Sequence, residues 1–258
     1  MLQVLFGKKI EKINYNTNII LNNLKKLYLD KIICNHVIID NLHLKFQDYL
    51  FSITTDIVSK EIGRSSYNFT NLDFKDGDIC VDIGANIGIT SIYLAKKYPF
   101  LKIIAFEPVK ENFSNFVKNI EINNIPAGTI TPINMGVSGN GREITILTNT
   151  INTGGSTIKE INEYDGTDFV NVSKTITLDN IFEKFKIKKA KLLKIDCEGC
   201  EYEIFYNSNK ETLRKIINIR GEFHMNRNIK DMGYSIKKLE SFCKQYVDNV
   251  SIDRCKNM

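Results

Sequence analysis

The side chains best able to do chemistry stand at the ends of short apolar runs. Asp82 follows Ile79-Cys80-Val81 and leads into Ile83-Gly84-Ala85-Asn86-Ile87-Gly88; Glu107 closes KIIAFE; Asp196 closes LLKID; Glu222 and His224 close NIRGEFH. Glycines let a backbone approach a ligand closely, and a helix beginning at Gly88 would offer unpaired N–H groups. Glu107 lies 25 positions beyond Asp82. In nucleoside-binding α/β folds, an acidic residue about 20 residues past a glycine turn accepts hydrogen bonds from ribose hydroxyls. The glycines alone fit a tight turn that holds nothing. Strand, turn, helix, strand and acid, in that order, favour a nucleoside.

The turn also selects among nucleosides. A dinucleotide site reads G-x-G-x-x-G, so that the diphosphate rests on the helix start. Here the middle glycine is missing and Asp82 would repel a diphosphate, which disfavours an NAD-dependent reductase. A carboxylate suits a cationic ligand, such as the amino group of S-adenosylmethionine. The second group of residues, Asp196, Glu222 and His224, comes from two independent segments. A helix cap or a surface charge is the plain alternative for each. An imidazole, with a pKa of about 6.5, takes a proton from an alkyl hydroxyl near neutrality, and a carboxylate orients it. The alternative is that Asp196 and Glu222 hold a divalent cation, Mg²⁺ or Mn²⁺, that acidifies the hydroxyl. The general base is the preferred reading.

These residues need a parallel sheet to bring them to one edge. The pattern predicts strands at Ile79 to Ile83, Lys102 to Phe106, Ile130 to Asn134, Leu192 to Ile195 and Asn218 to Glu222. Helices are expected at Ile89 to Lys97, Lys110 to Asn123, Leu178 to Phe185 and Glu201 to Tyr206. Continuously apolar strands alternating with helices mean a parallel sheet covered on both faces. Ligands then bind beyond the carboxyl ends of the strands. Residues 1–60 read differently. Ile20, Leu24, Leu27 and Tyr28 have helical spacing, and His36 to Phe46 suggests two strands around Asp40-Asn41. This appendage has three roles open to it: packing on the main domain (61–258), covering the acceptor, or forming a homodimer contact. His36 and His43 within it are expected to be structural or surface residues.

The motifs resemble those of the FkbM-type class I methyltransferases. VDIGANIG resembles that family's first motif, AFEPVKENF its second, and TLDNIF followed by LLKIDCEGCEYEIF its most distinctive one. The resemblance runs from Tyr67 to His224 and implies a Rossmann-like α/β fold and O-methylation with S-adenosylmethionine. By the resemblance, Asp82, Gly84 and Asn86 line the methionine end, Glu107 the ribose, and Val137-Ser138 the adenine. Tyr67 stands where the family has Tyr-Glu near the cofactor, but Asn68 replaces the Glu. INTGGSTI (Ile151 to Ile158) resembles the family's Gly-Ser stretch, a loop near cofactor or acceptor. The acceptor implied is a hydroxyl of a sugar, in a glycan or a nucleotide-activated form, with polyketide and other small-molecule hydroxyls as alternatives. A non-catalytic cofactor-binding module is a further one. Such folds usually finish with a helix and two strands, the last antiparallel. Here one helix (Ser235 to Tyr246) and one strand (Val247 to Ile252) follow, so the sheet is short by a strand or is completed by the N-terminal hairpin.

Composition narrows the field. The net charge of +5 is modest, and the densest basic run, Glu183 to Lys194, leads into a strand start rather than a strand end. The fourth strand reads Ile-Asp-Cys-Glu where methyltransferases of base amino groups carry Asn/Asp-Pro-Pro-aromatic. A nucleic-acid substrate is therefore not expected. No apolar stretch approaches the ~20 residues of a membrane span, and the start lacks a signal-peptide pattern. Six cysteines without a regular framework, several inside apolar runs, fit free thiols in the cytoplasm. Cys197-x-x-Cys200 matches a redox spacing, but it fills small apolar positions of the family motif.

Overall fold

The computed structural model describes Phe69, residues 71–147 and residues 172–252 in full; elsewhere it describes only the backbone of the strands named below. Strands β1 (Leu2–Phe6), β2 (Lys9–Ile13), β3 (Val37–Asp40), β4 (His43–Phe46) and β5 (Tyr49–Phe51) form an antiparallel sheet of order β2-β1-β5-β4-β3. The hairpin expected around Asp40 is β3–β4, with Asp40 opposite His43. It belongs to a larger sheet than one hairpin. The helix expected at Ile20 to Tyr28 lies outside the described residues.

The main sheet follows. Its elements are β6 (Ile79–Ile83), α1 (Ile89–Lys97), β7 (Lys102–Phe106), α2 (Lys110–Ile122) and β8 (Ile130–Ile133). After β9 (Gly136–Val137) comes an antiparallel sheet of β10 (Ile144–Thr148), β11 (Thr157–Ile158) and β12 (Phe169–Ser173), of order β11-β10-β12. Only Thr157 and Ile158 of the Gly-Ser stretch are described, and they pair with β10 instead of forming loop. Strand β13 (Thr175–Ile176) pairs with β9, and Thr177 caps α3 (Leu178–Lys184) by accepting the Asn180 N–H. Then come β14 (Leu192–Ile195), α4 (Glu201–Asn207), α5 (Lys210–Leu213), β15 (Asn218–Met225), α6 (Arg227–Asp231), α7 (Ile236–Cys243) and β16 (Asn249–Lys256).

Six strands pair in the order β16-β15-β14-β6-β7-β8, every pair parallel. The N-terminal hairpin is not part of this sheet, so among the described residues the sheet lacks the closing antiparallel strand. The apolar strands have a simple cause: both faces are covered. Val81, Ile83, Ile104, Phe106, Leu193 and Ile195 pack with α3, α4 and α7 residues, while Cys80, Ile103, Ala105 and Leu192 pack with α1 and α2 residues. Burying each large aliphatic side chain contributes about 1.5–3 kcal/mol. The strand order reverses between β6 and β14, which places a crevice at their carboxyl ends. Among the described residues no helix is long and apolar enough to cross a membrane.

Candidate active site

Strand β6 ends in a turn whose glycines answer to packing. Gly84 has φ +76°, and a Cβ on it would lie 1.9 Å from the Asp196 carbonyl oxygen on the neighbouring strand. Gly88 has φ +86°, and a Cβ there would strike the Phe116 ring of α2. Asn119 of α2 donates to the Ile87 carbonyl at 2.8 Å, so α2 braces the turn from below. These glycines thus permit close approach of protein to protein, leaving the turn's other edge to the crevice.

Glu107, expected to bind a ribose, lines that crevice. Its Oε2 accepts the Asn86 N–H at 2.8 Å and its Oε1 accepts the Val109 N–H at 3.0 Å, with Asn112 Nδ2 at 3.4 Å. Burial raises its carboxyl to about 7, against the pull of those bonds and of Lys194. Asn86 sits at φ 51°, and its buried Oδ1 has no hydrogen-bond partner among the described residues. An orphaned buried acceptor costs about 1–3 kcal/mol unless something pairs with it. Beside Glu107, in a crevice also lined by Gly84, Met135, Val137 and Ile144, that acceptor fits a ligand carrying N–H or O–H groups and an apolar ring. S-adenosylmethionine is such a ligand.

Two expected contacts are placed elsewhere. Asp82 does not line the crevice. Its carboxylate lies under the turn, accepting Ser91 Oγ at 2.7 Å and facing the Lys194 ammonium at 3.1 Å. Ser138 is also turned inward, its hydroxyl 2.6 Å from Thr175 Oγ1 and accepting the Gly141 N–H. In both cases an internal group faces the side chain where the sequence pattern suggested a ligand. Tyr67 lies outside the described residues.

The second group converges as expected, and with more members. His224, 4% exposed at the end of β15, places Nδ1 2.9 Å from Glu201 Oε1. Its Nε2 faces Glu198 Oε2 at 3.5 Å, Asp196 Oδ1 at 3.7 Å and Glu222 Oε2 at 3.8 Å. Burial works against the imidazolium, but the Glu201 bond and the charges of Glu201, Glu198 and Asp196 outweigh it, raising the imidazole to about 10. That surrounding of carboxyl groups favours the protonated ring, the opposite of the neutral imidazole expected of a general base. Burial also raises Glu198 to about 7. Gly221, where a Cβ would lie 1.7 Å from the Ile195 carbonyl, lets β15 close on β14 and brings His224 to Asp196.

Sequence reasoning assigned no role to Glu198, Glu201 or Lys194. Lys194 carried a signal, since a lysine inside a strand buried on both faces needs a partner. Its ammonium donates to the Gly84 carbonyl at 2.6 Å. Burial would lower its pKa, but Asp82, Asp196 and Glu107 together hold it above the ordinary value. Cys197 and Cys200 line the crevice as free thiols, and Cys197 is held well above the usual range chiefly by burial, which disfavours a reactive redox pair.

Comparisons with known proteins show what the chain resembles. The chain is 30% identical over 165 residues to Methyltransferase 1 of Beauveria bassiana, covering 57% of this chain and 64% of that protein. It is 26% identical over 194 residues to methyltransferase sdnD of Sordaria araneosa, covering 65% of this chain and 74% of that one. It is also 26% identical over 180 residues to the hexuronic acid methyltransferase AglP of Haloferax volcanii, covering 70% and 68%. The chain thus spans less than two thirds of the length of the Beauveria relative. The profile of the methyltransferase FkbM domain matches residues 82–249, from the glycine turn to the last strand, and the chain belongs to that family.

Proposed function

We propose that the protein transfers the methyl group of S-adenosylmethionine to a hydroxyl oxygen of a sugar, in a glycan or a nucleotide-activated form. The observation that carries this reading is a shared crevice: Asn86 and Glu107 line it together with Asp196 and Glu198. A nucleoside held by the first pair lies beside an acidic group able to manage the acceptor's proton. S-adenosylmethionine supplies a methyl group on sulfonium sulfur, whose C–S bond breaks as the new O–C bond forms. Glu107 and Asn86 bind the nucleoside, Val137 and Ile144 exclude water from its apolar side, and the acidic side chains around His224 draw the hydroxyl proton away. A sugar as acceptor is supported by the similarity to the hexuronic acid methyltransferase.

The test is direct. The protein is incubated with S-adenosylmethionine and panels of nucleotide-activated sugars, free hexoses, hexuronic acids and simple alcohols, and the demethylated cofactor and methylated product are followed by mass spectrometry. Methyl ethers formed on sugars only are the expected result. Methylation confined to non-sugar hydroxyls, to nitrogen or to carboxyl groups would reject the sugar hydroxyl.

A further inference from the structure

The imidazole of His224 is held from behind. Glu201, fully buried, takes Nδ1 at 2.9 Å and also accepts the Cys197 N–H at 3.3 Å. That clamp fixes the ring's orientation, so Nε2 faces the crevice side of the cluster. There it meets three carboxyl oxygens at 3.5, 3.7 and 3.8 Å, all longer than the roughly 2.7–2.9 Å of a charge-assisted hydrogen bond. Among the described residues no hydrogen bond to Nε2 occurs, although the side chain is 5% exposed. A buried nitrogen facing three carboxyl oxygens beyond hydrogen-bond distance is the arrangement of ligand atoms about a common centre.

The separations are compatible with ligands around one ion. One ligand atom each from Asp196, Glu198 and His224 lie within 4.8 Å of one another. Around a cation with ligand bonds of about 2.1 Å, adjacent ligand atoms sit about 3 Å apart and opposite ones about 4.2 Å. The clamp is a second and separate indication. Metal-ligating histidines donate their far N–H to a carboxylate, which sets the tautomer and the ring's direction. Two carboxylates with one imidazole suit a cation such as Mn²⁺ better than the thiolate-rich sets that select zinc or copper.

We propose that Asp196, Glu198 and His224 Nε2 bind a divalent cation of the Mn²⁺ type, with the acceptor hydroxyl as a further ligand. This rests on the methyltransferase reading above and deepens it. A hydroxyl on such an ion loses its proton far more readily than a free one. Glu222, outside the three-ligand set, stands close enough to take that proton. This site differs from the cation reading of the sequence, which paired Asp196 with Glu222 and left out Glu198 and His224.

The experiment uses MnCl₂ alone, titrated by calorimetry into the full chain after chelator treatment. One Mn²⁺ per chain is expected, with affinity lowered about tenfold or more in Glu198→Gln and by about 10- to 100-fold in Glu201→Gln. Circular dichroism of Glu198→Gln, a crevice-lining substitution, checks that the fold is kept. Methyl transfer should stop on complete chelation and return with Mn²⁺. A wild-type protein that binds no Mn²⁺, binding that Glu198→Gln leaves unchanged, or turnover that survives chelation would each overturn the site. Binding of S-adenosylmethionine is read separately on the same samples. Mn²⁺ binding that depends on Glu198, without any response to the methyl donor, would support the metal site while rejecting the function proposed above.

Discussion

Lys194 and Asp82 stand directly opposite each other on neighbouring parallel strands, and their side chains meet as an ion pair of 3.1 Å beneath the glycine turn. Both are buried. The lysine also reaches the Gly84 carbonyl, so one ammonium ties the register of two central strands to the shape of the crevice floor. A buried ion pair adds little net stability compared with an apolar pair, but removing one partner strands a charge.

Replacing Lys194 by Met should therefore cost about 3–5 kcal/mol in urea unfolding. Combining it with Asp82→Asn should recover part of that loss, because the stranded carboxylate is gone. A double variant that is less stable by the sum of the two single losses would show that the pair is not coupled.

Gly84→Ala should be more disruptive than its small size suggests. The added Cβ meets a backbone carbonyl at 1.9 Å, and the residue must hold φ +76°. Backbone cannot yield as a flexible side chain can, so the loss should exceed about 1 kcal/mol and donor affinity should fall with it. Gly128→Ala has a similar φ of +85° but open space around its Cβ, and it isolates the conformational part. Equal effects at the two sites would mean that the contact with Asp196 does not matter.

Much of this was legible in the sequence because strand ends are. The alternation of apolar runs and helices located β6, β7, β14 and β15, and a parallel sheet sends their carboxyl ends to one edge. That is enough to bring Glu107, Asp196, Glu222 and His224 to the same region. The direction of each side chain was not legible. Asp82 and Glu107 occupy similar strand-end positions, yet Asp82 points inward because Lys194 lies across from it, a matter of register. Glu198 and Glu201 sit in the same short motif as Asp196, but their roles depend on the turn at Gly199 and on where α4 begins. Strands β10 and β12 were missed because they form a local antiparallel insert, outside the strand–helix alternation that revealed the rest.

Glu107 gives a pH dependence of known sign. Its folded value of about 7 lies above the ordinary carboxyl value, so the folded chain prefers the protonated acid. The associated stability is present below about pH 4 and is lost as pH rises through about 7. Ribose hydroxyls prefer the carboxylate, so binding runs the other way: affinity for the demethylated cofactor should fall as pH is lowered from 7.5 to 6. Glu107→Gln should abolish that dependence, and Glu107→Ala should lose about 1.5–3 kcal/mol of binding. Calorimetry across this range decides it; a wild-type affinity that does not change with pH would remove Glu107 from the ribose.

The reacting group yields the sharpest expectation, that His224 and Asp196 serve the chemical step and not donor capture. The side of the crevice proposed for the nucleoside is built by β6 and β7, through Asn86 and Glu107, whereas Asp196 and His224 arrive on β14 and β15 from the other half of the sheet. His224 does not itself line the crevice, so its loss should act through the proposed cation that it helps to hold and through the position of Asp196 and Glu198. His224→Ala and Asp196→Asn should each leave S-adenosylmethionine binding nearly intact while turnover falls by about 10²- to 10⁴-fold, the range associated with proton transfer by a positioned group. Because a buried imidazole is being removed, thermal unfolding must be measured beside turnover, and His224→Gln supplies a variant of closer shape. Single-turnover rates with bound donor separate the two steps. Normal turnover in either variant, or failure that tracks only the loss of donor binding, would show that the chemistry lies elsewhere in the crevice.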